Sequence, residues 1–309
     1  MNPQYLLFDV GGTDIKAAFS DAAGTLHGIR RIRTQRVATD AAHALVEQLK
    51  TLGAELMADF PESKPIAVGL LVCGIVDEAN GIGVFSANLG WRDAPLRQLV
   101  ADAFALPVGF GHDVLGAGVA ELRFGAGKEL GTAVDNAAVL IIGTGIAAAL
   151  FVDGHPLSAG GYAGELGHGA VPGGLSCPCG AHGCLETIGS AGAIAKRYEQ
   201  KAGVHVAGAR EVLNARDAGD QIAVRIWDEA IAALTFSIAQ LCCSIAPQVV
   251  IIGGGLAQAG EALLQPLREA LGQKLTYQRL PELVAAQLGQ DAGLRGAHLK
   301  AVAAGAQST

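Results

Sequence analysis

Three times along this chain an apolar run of strand length stops at a cluster of glycines. QYLLFDV (4–10) halts at Gly11-Gly12, AAVLIIG (137–143) runs into Gly143-Thr144-Gly145, and VVIIGGGLAQAG (249–260) turns over Gly253, Gly254 and Gly255. A single glycine turn is common and carries little weight. Three of them, each closing a buried strand, predict an α/β fold in which backbone N–H groups at strand ends lie open to a ligand. DVGGTDIKAAF and GTGIAAALFVDG (143–154) are also weakly alike, each a strand broken by a glycine turn and resumed by a second strand. The chain therefore reads as two related lobes, each with its own phosphate-facing turn.

Length supports that division, since 309 residues exceed what one hydrophobic core usually accommodates, and two domains imply a cleft. Half of the residues are hydrophobic and 17% are charged, which excludes a disordered chain. A net charge of −7 with no dense Lys/Arg run argues against a protein built to grip nucleic acid or an anionic membrane, and favours a small-molecule substrate. MNPQYLLFDV has no basic segment ahead of its apolar run and no cleavage site, and no apolar stretch reaches transmembrane length; the expectation is a cytoplasmic protein.

Between the glycine turns the periodicity changes. Apolar side chains at helical spacing (Ala41, Leu45, Leu49, Leu52, Leu56) predict a helix over 40–60, followed by a buried strand over 66–72. VGFGHD (108–113) reads as a short strand leading into a helix over LGAGVAELRFGAG. Residues 155–190 are rich in Gly, Pro and Cys without sustained periodicity, which predicts a loop held by something other than a core. Helical patterns dominate from 191, the longest over 222–245, and GLRGAHLKAVAAGA supplies a last helix.

That loop contains three of the six cysteines. Cys177, Cys179 and Cys184 with one imidazole complete a Cys₃His set whose four protein ligands close a tetrahedral shell, the mark of a structural zinc. His168 is the favoured fourth ligand and His182, inside the cysteine loop on a short tether, is the competing one. Glu165 and Glu186 bracket the cluster, so a bound ion would hold both carboxylates rigid enough to read several hydroxyls of one ligand. Near the other end, Asp9 closes a strand where a hydrated Mg²⁺ could sit, and Thr13 adds a hydroxyl.

The combination of DVGGTDIK, GTGI, GELGH, CPCGAHGCLE and IIGGGLA resembles the ROK family of bacterial sugar kinases and repressors over essentially the whole chain. The resemblance implies the two-lobed α/β actin-like ATPase fold: 1–113 as the small lobe, completed by the C-terminal helix 294–309, and 114–293 as the large one. It implies that Asp113 is the general base and that Gly74, Asn88, His112, Glu165, His168 and Glu186 surround the sugar. His168 would serve zinc with one nitrogen and sugar with the other. Asp9, Gly11, Gly12, Thr13, Lys16, Gly143, Thr144 and Gly145 match the phosphate loops, and Gly253 and Gly254 the adenosine motif.

The implied activity is ATP- and Mg²⁺-dependent phosphorylation of a hexose at its 6-hydroxyl, in a homodimer. Glucose is the first choice, N-acetylmannosamine or another hexosamine the second, and polyphosphate an alternative donor. The family's repressors carry a helix-turn-helix ahead of the first phosphate motif; with Asp9 already inside that motif, none is expected here. A non-catalytic sugar sensor is disfavoured by Asp113 and the phosphate loops. Three positions depart from the family pattern: His112 stands for an asparagine that touches the sugar, Ala147 for a glycine, and Cys73 for a proline.

Overall fold

The computed structural model describes residues 4–37, 39–130 and 134–307. They form two compact units. The first runs to Ala120 and takes in Ser158–Ala163 and the chain from Gln290 onward; the second comprises Glu121–Leu157 and Gly164–Gly289.

The first unit is organised by β1 (Tyr5–Val10), β2 (Asp14–Ser20), β3 (Leu26–Arg33), α1 (Ala41–Asp59) and β4 (Ala67–Val72). A small sheet of β5 (Ile75–Asp77), β6 (Ile82–Ser86) and β7 (Trp91–Ala94) follows, then α2 (Leu96–Phe104), β8 (Val108–His112) and α3 (Asp113–Phe124), which leaves the unit. The main sheet has the order β3-β2-β1-β4-β8, antiparallel across the first three strands and parallel thereafter. β1 is apolar at almost every position because both of its faces are covered. Leu6, Phe8 and Val10 pack with Leu45, Leu49, Leu52 and Leu56 of α1, while Tyr5 and Leu7 pack with Leu294, Ala297 and Ala301 of the last helix, Ala292–Ala306. Each fully buried leucine in these layers contributes about 1.5–3 kcal/mol relative to exposure.

That last helix lies on the sheet at unusually close range. A Cβ at Gly69 of β4 or Gly109 of β8 would collide with the backbone carbonyls of Ala297 and Lys300. Glycine is required at both positions by the approach itself.

In the second unit the short α4 (Ala126–Glu129) precedes β9 (Ala137–Ile142), β10 (Ile146–Val152) and β11 (His155–Pro156). Then come β12 (Ala170–Ser176), β13 (His182–Cys184), α5 (Glu186–Gly189), α6 (Ala191–Ala202), α7 (Ala209–Asp217), α8 (Gln221–Ser244), β14 (Val249–Gly253), α9 (Glu261–Lys274) and β15 (Glu282–Ala285). The sheet order β11-β10-β9-β14-β15 repeats that of the first unit strand for strand, with the same antiparallel and parallel pairings. The weak likeness between the two glycine-turn segments is thus a structural repeat. α8 is capped by Asp220, whose side chain accepts from the N–H groups of Ile222 (2.7 Å) and Ala223 (3.1 Å), and it buries Trp227, Leu234 and Ile238 in the core.

Two readings of the sequence need correction. β3 was not anticipated, because LHGIRRIR, on an edge of the sheet, has two isoleucines among three arginines without a regular alternation and carries little hydrophobic signal. Residues 155–190 are not uniformly loop: β12 and β13 pair antiparallel there, with register shifts at Ala170/Leu175 and Leu175/Ser176. Short strands held by irregular pairing show no regular alternation. Among the described residues, no helix is long and apolar enough to cross a membrane.

Candidate active site

Within the first unit, the turn between β1 and β2 brings Asp9 and Lys16 directly opposite each other in the antiparallel register, and Lys16 Nζ lies 3.1 Å from Asp9 Oδ2. Lys16 also donates to the Gln290 carbonyl at 3.0 Å, so its ammonium is engaged on two sides. Burial pushes the Asp9 carboxyl above the ordinary carboxylate range; Lys16 opposes this and the nearby charge of Asp113 adds to it. A divalent cation would favour the ionised form of this carboxylate, and in that respect Asp9 suits a Mg²⁺ site.

The turn Gly11–Thr13 is braced by residues the sequence did not flag. Thr34 Oγ1 donates to the Gly11 carbonyl (2.8 Å) and Arg36 to the Gly12 carbonyl (2.9 Å). Both follow the unanticipated β3, so the cue that would have found them was the strand itself. Asn88 lies against the same turn: a Cβ on Gly12 would stand 3.2 Å from the Asn88 Cβ.

At the same carboxyl end of this sheet, two strands across from β1, His112 ends β8 and Asp113 opens α3. Leu115 N–H donates to His112 Nδ1 (3.3 Å), which leaves the Nε2 side carrying the proton in a neutral ring; Nε2 lies 3.3 Å from Asp113 Oδ1. Gly74 follows β4 with φ +108°, a conformation that favours glycine, and Cys73 beside it lies 4.0 Å from Ser86 Oγ. Burial pushes the Cys73 thiol up to about 12, so it is a packing residue rather than a nucleophile.

Within the second unit, the turn Gly143–Gly145 is tied to Glu186. Its Oε2 accepts from Ile146 N–H at 2.9 Å, and a Cβ on Gly145 would collide with that oxygen. One carboxylate oxygen therefore orders the glycine turn. Gly143 N–H donates to the Gly145 carbonyl (2.9 Å), closing the turn on itself around Thr144.

The Cys₃His set assembles here. The ligand atoms of His168, Cys177, Cys179 and Cys184 all lie within 4.8 Å of one another. Two ligands at zinc–sulfur distances of about 2.3 Å stand roughly 3.8 Å apart across a tetrahedron. Cys179 Sγ and Cys184 Sγ are 3.7 Å apart, and His168 Nδ1 is 3.8 Å from Cys177 Sγ, so the donor set fits zinc. His182 is outside the group and exposed on β13. His168 divides its nitrogens, with Nδ1 toward the sulfurs and Nε2 3.9 Å from Glu165 Oε2. Burial, reinforced by the neighbouring sulfurs, pushes the Cys184 thiol up to about 12, so a metal must displace a proton there.

Past β14, Gly253 and Gly254 lead to a cavity of about 120 Å³ lined by Arg210, Leu213, Asn214, Trp227 and Gly255 among others. Arg210 and Asn214 on α7 had no cue in the sequence, since polar residues on a helix are usually solvated.

The ROK family model matches residues 5–303. The glucokinase of Halalkalibacterium halodurans is 32% identical over 94% of this chain and 93% of its own length. Among solved structures, the ROK hexokinase from Thermus thermophilus aligns with a TM-score of 0.81 and 30% identity, covering 97% of this chain and 98% of that one. The ROK family glucokinase from Streptomyces griseus, solved in complex with glucose and AMPPNP, aligns with a TM-score of 0.77 and 28% identity over 96% of this chain and 99% of that one.

Proposed function

Because this chain belongs to the ROK family, we propose that it transfers the γ-phosphoryl group of ATP to the 6-hydroxyl of a hexose, with glucose as the preferred acceptor. The observation that carries this reading is the chain-length match to a glucokinase. The glycine turns and the Asp113 strand end supply parts such a kinase needs.

Phosphoryl transfer asks the protein for position and for charge stabilisation. Asp113 accepts the proton of the 6-hydroxyl as that oxygen attacks in line, with His112 Nε2 facing the carboxylate. N–H groups of the Gly11–Thr13 and Gly143–Gly145 turns hold phosphate oxygens. Asp9 is the residue that would hold Mg²⁺, which when bound neutralises charge on the β- and γ-phosphates. Glu165, the Nε2 side of His168, the remaining oxygen of Glu186 and Asn88 read sugar hydroxyls. His168, Cys177, Cys179 and Cys184 would hold a structural zinc with no open position. The cavity beside Gly255 takes the adenine, between Trp227 and the polar ends of Arg210 and Asn214.

A coupled ADP-release assay over a hexose panel tests the reading, with glucose expected to show the highest kcat/KM. ADP release that no hexose stimulates would remove it. N-acetylmannosamine or another hexosamine ranking first would keep the chemistry and change the substrate.

His112 stands beside the base, and its side chain meets Asp113 rather than being lost in packing. His112→Asn is expected to reorder the panel, changing kcat/KM ratios between epimers by about fivefold, the worth of one hydrogen bond near 1 kcal/mol. Specificity constants that fall together, or do not change, would make His112 a packing residue.

A further inference from the structure

Among the described residues β8 is an edge strand, paired with β4 alone in the main sheet of its unit, so N–H groups on its outer side have no ladder partner there. Its last residue, His112, donates its backbone N–H to Glu78 Oε1 at 3.0 Å. Glu78 follows β5 and lies thirty-four positions earlier in the chain. Its other oxygen, Oε2, pairs with Lys300 Nζ from the last helix, and the two side chains are only 22% and 29% exposed. Two glycines of β8 make room for this arrangement. A Cβ on Gly109 would collide with the Lys300 carbonyl, and one on Gly111 would stand 2.7 Å from Glu78 Oε1 and 2.7 Å from Lys300 Cε.

We propose that Glu78 is a positioning residue for the transfer step: it pins the Gly111–His112 peptide, one residue ahead of Asp113, and so sets where the Asp113 carboxylate points. The inference rests on the reading of Asp113 as general base. The Glu78 side chain has the reach to place an acceptor on the His112 N–H, and the peptide it holds lies one residue ahead of the Asp113 carboxylate. Lys300 holds the carboxylate in turn, so the strand end is fixed by the last helix, whose Lys300 also lies against Gly109 and Gly111 of β8. Glu78 touches none of the reacting atoms; its effect passes through His112 to Asp113, whose Oδ1 is further held by Val114 N–H at 2.8 Å.

Two mild substitutions in the full-length enzyme separate reach from charge. Glu78→Gln keeps an acceptor for the His112 N–H at the same reach but turns an NH2 group toward Lys300, whose part-exposed ammonium can swing to solvent, and Glu78→Asp keeps the charge one methylene short. The glutamine variant is expected to retain kcat within about threefold. The aspartate variant is expected to lose about 10- to 100-fold in kcat with the KM for sugar and for ATP within about twofold, the behaviour of a misplaced but intact catalytic group. Undiminished kcat in Glu78→Asp would overturn the inference, as would a glutamine variant as slow as the aspartate one. A kcat loss accompanied by proportionate changes in both KM values and a lowered melting temperature would also overturn it, since that marks general destabilisation. Asp113→Asn assayed alongside distinguishes the two levels. If it keeps its turnover, the reading of Asp113 fails; if it is inactive while Glu78→Asp is unaffected, only the role of Glu78 fails.

Discussion

Asp113→Asn is expected to yield a folded protein that binds sugar with near-normal affinity and turns over about 10² to 10⁴ times more slowly, the usual cost of removing a general base. The substitution is nearly isosteric and keeps an acceptor oxygen for Val114 N–H, a contact that lies at 2.8 Å, so the start of α3 should be undisturbed. The amide oxygen can also still face His112 Nε2, 3.3 Å away in the native site. What it cannot do is take a proton from the attacking hydroxyl at neutral pH. Steady-state kinetics give the loss in kcat, calorimetric titration with glucose gives the retained affinity, and a thermal melt checks the fold. Substantial residual turnover would place the base elsewhere, and a parallel collapse of affinity and melting temperature would make Asp113 a structural residue.

Cys179→Ser is expected to remove the zinc, raise the sugar KM on the order of tenfold or more, and leave the β1–β2 unit folded. The physical reason is the composition of β12 and β13. Apart from Val171, Gly174, Cys177, Gly183 and Cys184, their residues and the connecting turn are largely exposed, and they bury too little apolar surface to order themselves. Glu186 follows this segment directly, and Glu165 precedes it on the short turn that ends at His168. Loss of the ion would therefore free the two carboxylates that read the sugar, while Gly11–Thr13 remains braced by Thr34 and Arg36. Metal analysis of the purified enzyme should return one zinc per chain, and the variant should return none. Full sugar affinity in a zinc-free preparation would overturn the assignment, and so would a zinc bound through His182 with His168 turned away.

Much of the scaffold was legible because its signals are local. β1, β4, β9 and β14 are continuous apolar runs closed by glycine or by a strand-end polar residue, which is what a strand covered on both faces must look like. α1 and α8 declare themselves by helical spacing over long windows. The Cys₃His set was recoverable because the cysteines lie within eight residues of one another and few arrangements of three thiols and one imidazole suit anything but a metal. Between His168 and His182 the spacing left a choice, and the fold brings only His168 into the group.

The rest depended on approach in space. β3 escaped notice because an exposed edge strand needs no apolar alternation, and with it went Thr34 and Arg36. Glu78 is an unremarkable acid in its own segment, and nothing nearby in sequence links it to His112 or Lys300. Gly109 and Gly111 look like ordinary strand glycines until the last helix is laid across β8. By itself the sequence determined the buried strands and the long helices, the family, and the chemical types gathered at the candidate site, since these follow from periodicity and from residues that few other roles would require. Tertiary structure alone decided which imidazole joins the sulfurs, which oxygen of Glu186 is already committed to Ile146, and which distant carboxylate holds the strand end before Asp113. Those outcomes depend on distances of a few ångströms between residues far apart in the chain, and no local pattern encodes them.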